Sequence, residues 1–226
     1  MKILVTSAAS STARVVAEAL SSDHEVVLTD LPGSATRDVV GCDLNHDKAT
    51  DDLVANIDVI VNVGYAGQSG SDTDLIDYHT RRIYNLLHAA SEAGVARVIN
   101  LSTLKLYQDH EENLVVTEKW RSDPSAEDAG LLAAHLCEYV VKEFARDQRI
   151  QAVNLRLGWP IAAQLPSSDT SAVSESAVIA AVRSALTSED LEQWQDIHVQ
   201  SHVEHQRFST KKAEELFEGL AKELAR

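Results

Sequence analysis

The chain has 226 residues, 44% of them apolar and 24% charged, and 20 Lys and Arg against 35 Asp and Glu give a net charge of −15. That length suits one domain, or one domain with a small appendage, and supplies ample material for a core. So acidic a surface argues against nucleic acid and anionic membrane as partners, and no apolar run approaches the ~18 residues of a membrane span. No signal peptide fits Met1–Val5. Cys42 and Cys137 lie far apart with no CxxC spacing, which reads as two reduced thiols in a cytoplasmic protein.

Lys2–Thr6 is a β-branched strand run, followed by the polar turn Ser7–Thr12. Ala13, Val16, Ala17 and Leu20 then repeat at helical spacing. Glu25–Thr29 and Asp38–Cys42 read as strands, Lys48–Ala55 as a short helix, and Asp58–Val63 as a buried strand. After the glycine-bearing loop Gly64–Ser71, a long helix is expected over Thr73–Ala93, with Gly94 as its C-cap. Arg97–Leu101 is a fifth strand, Ser102–Asp128 mostly loop, Ala129–Arg146 a second long helix, and Gln151–Leu157 a sixth strand. Beyond Pro160 the pattern changes. Pro166–Ser171 reads as loop, Glu175–Leu186 and Lys211–Leu224 as helices, and Ile197–Val199 as a short strand. Strands alternating with helices imply an α/β, doubly wound, Rossmann-type parallel sheet with right-handed crossovers over residues 1–157, and a short extension over 158–226. Ligands in such sheets sit at the carboxyl ends of the strands, here the loops after Thr6, Thr29, Val63, Leu101 and Leu157.

The stretches KILVT, Cys42–Leu44 (CDL), DVIVNV, Tyr84–Thr103 (YNLLHAASEAGVARVINLST) and Leu155–Gly158 (LRLG) together resemble the NAD(P)-dependent epimerase/dehydratase family, the extended branch of the short-chain dehydrogenase/reductase superfamily. The resemblance runs from Met1 to about Pro160, with an echo at Arg207–Ala213. It implies a dinucleotide-binding fold, but the chemical positions depart from the family pattern. Where the family has TGxxGxxG, this chain reads Thr6-Ser7-Ala8-Ala9-Ser10-Ser11-Thr12-Ala13, with Ser7, Ser10 and Ala13 at the glycine positions. A serine at the first is costly where φ must be positive, and at the second it puts a side chain where pyrophosphate would lie. Two readings stand: Ser7, Ser10, Ser11 and Thr12 hydroxyls donate to a phosphate, or the turn is a self-satisfied N-cap that has lost its cofactor. Asp30 matches the acidic residue that holds the ribose and favours NAD over NADP. Asp43 and Leu44 match the pair beside the adenine, and Gly64 the residue that lets backbone approach the cofactor ribose.

The family's reaction needs a Ser/Thr after strand five and a Tyr-x-x-x-Lys on the next helix, the lysine lowering the tyrosine pKa so that it can act as a base. Thr103 keeps the hydroxyl, four residues before Tyr107. With Glu138 fixing the register, the tyrosine position is Gly130 and the lysine position Ala134. No Tyr-x-x-x-Lys occurs anywhere in the chain. The family's two asparagines fall at His79 and Trp159, and a tryptophan there could fill the nicotinamide pocket. Only residues 158–226 follow strand six, too few for a large substrate part.

His79, Lys105 and His135 are candidate substitutes for the lost base near Thr103. His198, His202 and His205 have zinc-like helical spacing, but IHVQSHV reads as strand or loop, so no metal is expected. The resemblance thus implies an epimerase/dehydratase-like fold that is catalytically impaired and serves regulation, sensing or scaffolding. The alternative is an active NAD-dependent sugar-nucleotide epimerase/dehydratase or dehydrogenase rebuilt on Thr103 and a histidine or Lys105. Expected partners are a nucleotide or sugar-nucleotide ligand and a second copy of the chain, paired through helices 73–93 and 129–146 as in many family members.

Overall fold

In a computed structural model that describes residues 1–111, 114–165 and 171–225, the chain forms one seven-stranded parallel sheet. Its strands are β1 (Lys2–Val5), β2 (Glu25–Asp30), β3 (Val39–Gly41), β4 (Val59–Val63), β5 (Arg97–Thr103), β6 (Gln151–Leu157) and β9 (Trp194–Val199), in the order β3-β2-β1-β4-β5-β6-β9. A two-stranded pair, β7 (Ile161–Ala162) and β8 (Val173–Ser174), stands beside it. The helices are α1 (Ser11–Leu20), α2 (Lys48–Val54), α3 (Asp72–Asp77), α4 (Ile83–Ala93), α5 (Ala129–Arg146), α6 (Glu175–Thr187), α7 (Lys211–Leu216) and α8 (Leu220–Leu224). The loop expected at Pro166–Ser171 falls, apart from Ser171, outside the described residues.

Three elements differ from the sequence reading. The long helix expected from Thr73 is α3 and α4 joined through a π-helical turn, Tyr78–Arg82. There the Thr80 hydroxyl donates to the Ile76 carbonyl, a side-chain bond that competes with the regular backbone ladder. The last helix is divided at Phe217–Gly219, where Gly219 has φ +80°, into α7 and α8. The strand near Ile197 is longer than expected. As β9 it pairs in register with β6, so residues 158–226 supply the seventh strand of the main sheet.

Strand alternation sorts the side chains onto two faces. Ile3, Val5, Val59, Val61, Ile99, Leu101, Val153, Leu155, Ile197 and Val199 pack with Val16, Leu20, Val178 and Val182 of α1 and α6. The other face packs Leu4, Ile60, Val98 and Ala152 against α4 and α5. That second face also carries a row of polar side chains. Asn62, Asn100, Asn154 and Asp196 stand at the same register on adjacent strands. Thr6 Oγ1 donates to Asn62 Oδ1 (2.9 Å), Asn62 to Asn100 (2.7 Å), Asn100 to Asn154 (2.8 Å) and Asn154 to Asp196 (2.9 Å). The three asparagines are fully buried. Each amide both accepts and donates, so the row is satisfied only as a whole.

Replacing Asn100 by Ala leaves the Asn62 amide donor and the Asn154 carbonyl without their partner in the interior. We expect a loss of about 2 kcal/mol or more in unfolding free energy, measured by urea denaturation. A loss below about 0.5 kcal/mol, the range of ordinary surface substitutions, would show that the row is dispensable.

Candidate functional site

The turn after β1 keeps the backbone of a phosphate-binding loop. Ser7 has φ +53°, in the left-handed region that the first glycine of such a loop occupies freely. Its hydroxyl turns inward, 3.1 Å from Tyr78 Oη and 3.4 Å from the Val63 carbonyl, which the π-helical turn makes possible by delivering Tyr78. Burial pushes the Tyr78 phenol well above its usual pKa, so both groups are neutral hydrogen-bonding partners. Ser10 Oγ accepts from the Ala13 amide (3.0 Å) and so caps α1. Both serines are committed to the turn itself. Ser11 is exposed and Thr12 half-buried at the start of α1.

The loop after β4 folds back over this turn. Gly67 has φ +92°, and a Cβ placed there would stand 2.7 Å from Ser7 Cβ and 2.9 Å from Ser10 Cβ, so only glycine allows the contact. The next residue reaches β2, where Gln68 Nε2 donates to Asp30 Oδ1 (3.0 Å). Asp30 also accepts from the amides of Ala9 (2.8 Å) and Leu31 (2.7 Å), and it is 2% exposed. The carboxylate that would hold a ribose thus already has three donors from its own chain. Ser7 is 0% exposed beneath the loop. In this arrangement Ser7, Ser10 and Asp30 spend their hydrogen bonds within the chain, and the Gly67–Gln68 segment packs directly on the turn.

The adenine-side residues are equally committed. Leu44, at φ +51°, buries its side chain in the core of the α4/α5 face, and its carbonyl accepts from Asn85. Asp43 is exposed and faces Arg82 at 3.5 Å. Gly64 clears Asn100, since a Cβ there would stand 2.5 Å from its Oδ1. The need for glycine at 64 comes from the polar row of the sheet.

A cavity of about 250 Å3 remains open at the strand ends. Val63, Leu101, Leu157 and Trp159 line it with Tyr65, Thr103, Lys105 and the α1 residues Ser11 and Thr12. Thr103 Oγ1 accepts from the Lys105 amide (3.1 Å), starting the 3-10 turn Leu104–Tyr107 that carries Lys105 into the cavity. Lys105 Nζ lies 5.8 Å from the Tyr65 ring centre. Trp159 packs on Phe208 and forms a wall, so it narrows the pocket without filling it.

Of the four residues expected to share a catalytic role, Thr103 and Lys105 meet in this cavity, while His79 and His135 are not among its lining residues. His79 sits in the π-helical turn, 3% exposed, with Nδ1 unpartnered and its ring edge-on to Tyr78. Burial pushes its pKa down to about 4, so it is neutral near pH 7. His135 bonds Ser122 through Nδ1 (2.9 Å) and stacks edge-on against Tyr139. The lysine position, Ala134, is fully buried among Leu104, Leu106, Tyr107, Leu131 and Phe208, which leaves no room for a longer chain. Gly130, the tyrosine position, lies in the first turn of α5. Tyr107 points away from the cavity, donating to the Trp120 carbonyl and accepting from Arg156. Arg156 also bonds Glu138 (2.7 Å) and Asp196 (3.0 Å) in a buried ion network. Burial alone would raise the Glu138 carboxyl, but the Arg156 guanidinium outweighs it and holds the pKa below the usual carboxylate value.

The three histidines at zinc-like spacing separate. His198 is buried in β9, His202 bonds Glu214, and His205 is exposed. Among the described residues no three potential ligands gather for a metal, and no helix is long and apolar enough to cross a membrane.

The family model described as NAD dependent epimerase/dehydratase family matches residues 3–207. The chain belongs to this family. No curated protein matches it in sequence. Among solved structures it is similar to uronate dehydrogenase from Agrobacterium tumefaciens (TM-score 0.80, 18% identity, 95% of this chain and 82% of that one). It is similar also to UDP-N-acetylglucosamine 4-epimerase from Bacillus cereus (TM-score 0.76, 18% identity, 99% and 96%). A third, MoeE5 in complex with UDP-glucuronic acid and NAD, has TM-score 0.74 and 17% identity over 100% and 97% of the two chains. Such low identities establish the shared fold. The chain therefore carries the NAD-binding fold of the epimerase/dehydratase family, built on a seven-stranded parallel sheet.

Sequence reading found the family and the departures within it, but missed the role of Gly67 and Gln68. Their signal was present as the third loop segment at the strand ends, whose glycines permit close backbone approach.

His79 makes stability depend on pH. Its folded pKa lies below the ordinary 6.5, so between the two values the unfolded chain binds more protons. Its contribution is complete above about pH 6.5 and falls as the pH drops toward 4, by up to about 3 kcal/mol. Urea unfolding at a series of pH values should show a shallower loss between about pH 6.5 and 5 in His79→Gln than in the parent. Equal slopes would remove His79 from the account.

Proposed function

We propose that this chain is a family member that has given up the family's hydride-transfer chemistry and works as a regulatory, sensing or scaffold protein. One observation carries the reading: the Gly67–Gln68 segment lies on the Ser7–Ser10 turn and engages Asp30, closing the cofactor groove with the chain's own atoms. The absence of Tyr-x-x-x-Lys supports it independently, since a positioned general base contributes about 10²–10⁴-fold to a rate. Tyr107 offers no substitute, because burial pushes the phenol well above its usual pKa and its hydroxyl is engaged with the Trp120 carbonyl and Arg156.

The open strand-end cavity is the retained ligand site. At about 250 Å3 it is smaller than the ~300–1,000 Å3 of pockets for drug-sized ligands. It suits the sugar part of a sugar nucleotide better than the whole molecule, with Lys105, Thr103, Ser11 and Thr12 as polar contacts and Tyr65 and Trp159 as walls. If a dinucleotide displaced the loop, the negative charge of Asp30 would favour NAD over NADP. The two buried, free cysteines suit a reducing compartment such as the cytoplasm, and burial pushes the Cys137 thiol up to about 12, which keeps it unreactive.

Calorimetric titration with NAD, NADH, NADP and NADPH tests the reading. The expected result is no saturation below about 1 mM for any of the four. Micromolar binding of NAD or NADH, with turnover of a sugar or sugar nucleotide that Thr103→Ala abolishes, would overturn it in favour of a rebuilt enzyme.

We also propose a homodimer through α4 and α5. Tyr84 and Tyr139 are each about half exposed, and with Val140 and Phe144 they line an outward-facing apolar depression on these helices. Light scattering should give a dimer mass for the parent and a monomer mass for Tyr139→Glu. A monomeric parent removes this part of the reading.

A further inference from the structure

A second cavity, of about 210 Å3, opens between α5, β9 and the segment 118–122, lined by the buried ion network and not by the strand-end residues. Its floor is Arg156 with Glu138 and Asp196, and its rim carries Lys119, Arg121 and Lys142.

The charges around it are unequally committed. Glu118 Oε1 accepts from the His198 amide (3.2 Å). Glu138 is held by Arg156 through both oxygens. Asp196 accepts from Asn154, Arg156 and the Trp194 indole. All three carboxylates therefore have donors supplied by the fold. Among the described residues, none of Lys119, Arg121 and Lys142 has a carboxylate within ion-pair distance, whereas Lys48, Arg81, Arg82, Arg146, Arg149 and Arg183 do. Other cations, among them Arg37, Lys212 and Lys222, also lack an ion pair among the described residues; Lys119, Arg121 and Lys142 are set apart by lining one small cavity together. Lys142 is further held over the Trp194 ring, its Nζ 5.6 Å from the ring centre, and Trp120 supplies a second aromatic wall.

We propose that this cavity binds a small phosphorylated metabolite, a phosphate monoester whose dianion lies between Lys119, Arg121 and Lys142 while its polyol part lies against the Trp120 and Trp194 rings. A phosphate presents three terminal oxygens to three separate cations, a match that a single carboxylate cannot make. The volume admits a phosphorylated monosaccharide and excludes a dinucleotide. Arg156 is ion-paired with Glu138 and Asp196, and with Lys119, Arg121 and Lys142 the four cations that line the cavity outnumber its three carboxylates. The proposal is independent of whether the cofactor groove is closed.

Calorimetry and thermal shift with glucose 6-phosphate, inorganic phosphate and glucose as probes test it. Glucose 6-phosphate should bind, inorganic phosphate should bind more weakly, and glucose should not. Binding should weaken in about 0.5 M salt, where exposed charges are screened. The triple variant Lys119→Ala/Arg121→Ala/Lys142→Ala should lose at least about tenfold in affinity, since a charge-assisted bond contributes about 1.5–3 kcal/mol. These side chains are exposed and hold no ion pair of the fold, so an unchanged thermal midpoint without ligand checks that the variant is folded. Lys105→Ala, in the strand-end cavity, should bind as the parent does. The proposal is overturned if neither phosphate binds, if binding survives the triple substitution, or if Lys105→Ala abolishes it.

Discussion

The row of hydrogen-bonded side chains from Thr6 to Asp196 sets conditions that the rest of the molecule must meet. Amides at one register of a parallel sheet stand one strand spacing apart, about 4.8 Å, the reach of an amide-to-amide bond. The row therefore locks the register of β1, β4, β5, β6 and β9, because a slip of one residue would put an apolar side chain against an asparagine. It also reaches outside the sheet. Asn100 leaves no space for a side chain at Gly64, and Cys137 of α5 packs its sulfur against Asn62 and Asn100. At its far end Asp196 joins Arg156 and Glu138, which in turn fix Tyr107 and the short turn behind Lys105. The depth of the strand-end cavity and the floor of the cation-rimmed one are two products of the same polar framework.

The cofactor groove follows a simpler rule: buried polar groups need partners. In a dinucleotide fold the partners of the phosphate turn and of the acidic residue on the second strand are ligand atoms. Here Ser7 has Tyr78, Ser10 has Ala13, and Asp30 has Ala9, Leu31 and Gln68. The two serines at the glycine positions each supply a hydroxyl that bonds within the chain. A ligand entering the groove would have to replace these bonds before adding any of its own.

The sheet was largely legible in the sequence because its signal is local. KILVT, DVIVNV and QAVNLRL are apolar runs of strand length, and α5 and β6 match the expected bounds. The π-helical turn was not legible, because a one-residue widening leaves the apolar periodicity almost intact. β9 was read short, since Gln195 and Asp196 break the apolar run and owe their strand geometry to pairing with β6. The polar row had a visible trace: Asn62, Asn100 and Asn154 each interrupt a buried apolar strand. Only the register shows that they meet. In the site, the absent tyrosine and lysine could be counted directly, but the contacts of Gly67 with Ser7 and of Gln68 with Asp30 join loops 60 and 38 residues apart in sequence and belong to tertiary structure alone.

Ser7 keeps a backbone angle that glycine adopts freely and that an L side chain adopts at a cost of about 1 kcal/mol. The bend has persisted at a position where the residue best suited to it is gone. The bend is tied to the strand before it, the helix after it and the loop across it, so changing it would disturb all three at once. A catalytic side chain is tied to one reaction and can be lost alone. Kinship in this chain is therefore written in its curvature, at positions where many neighbours must agree.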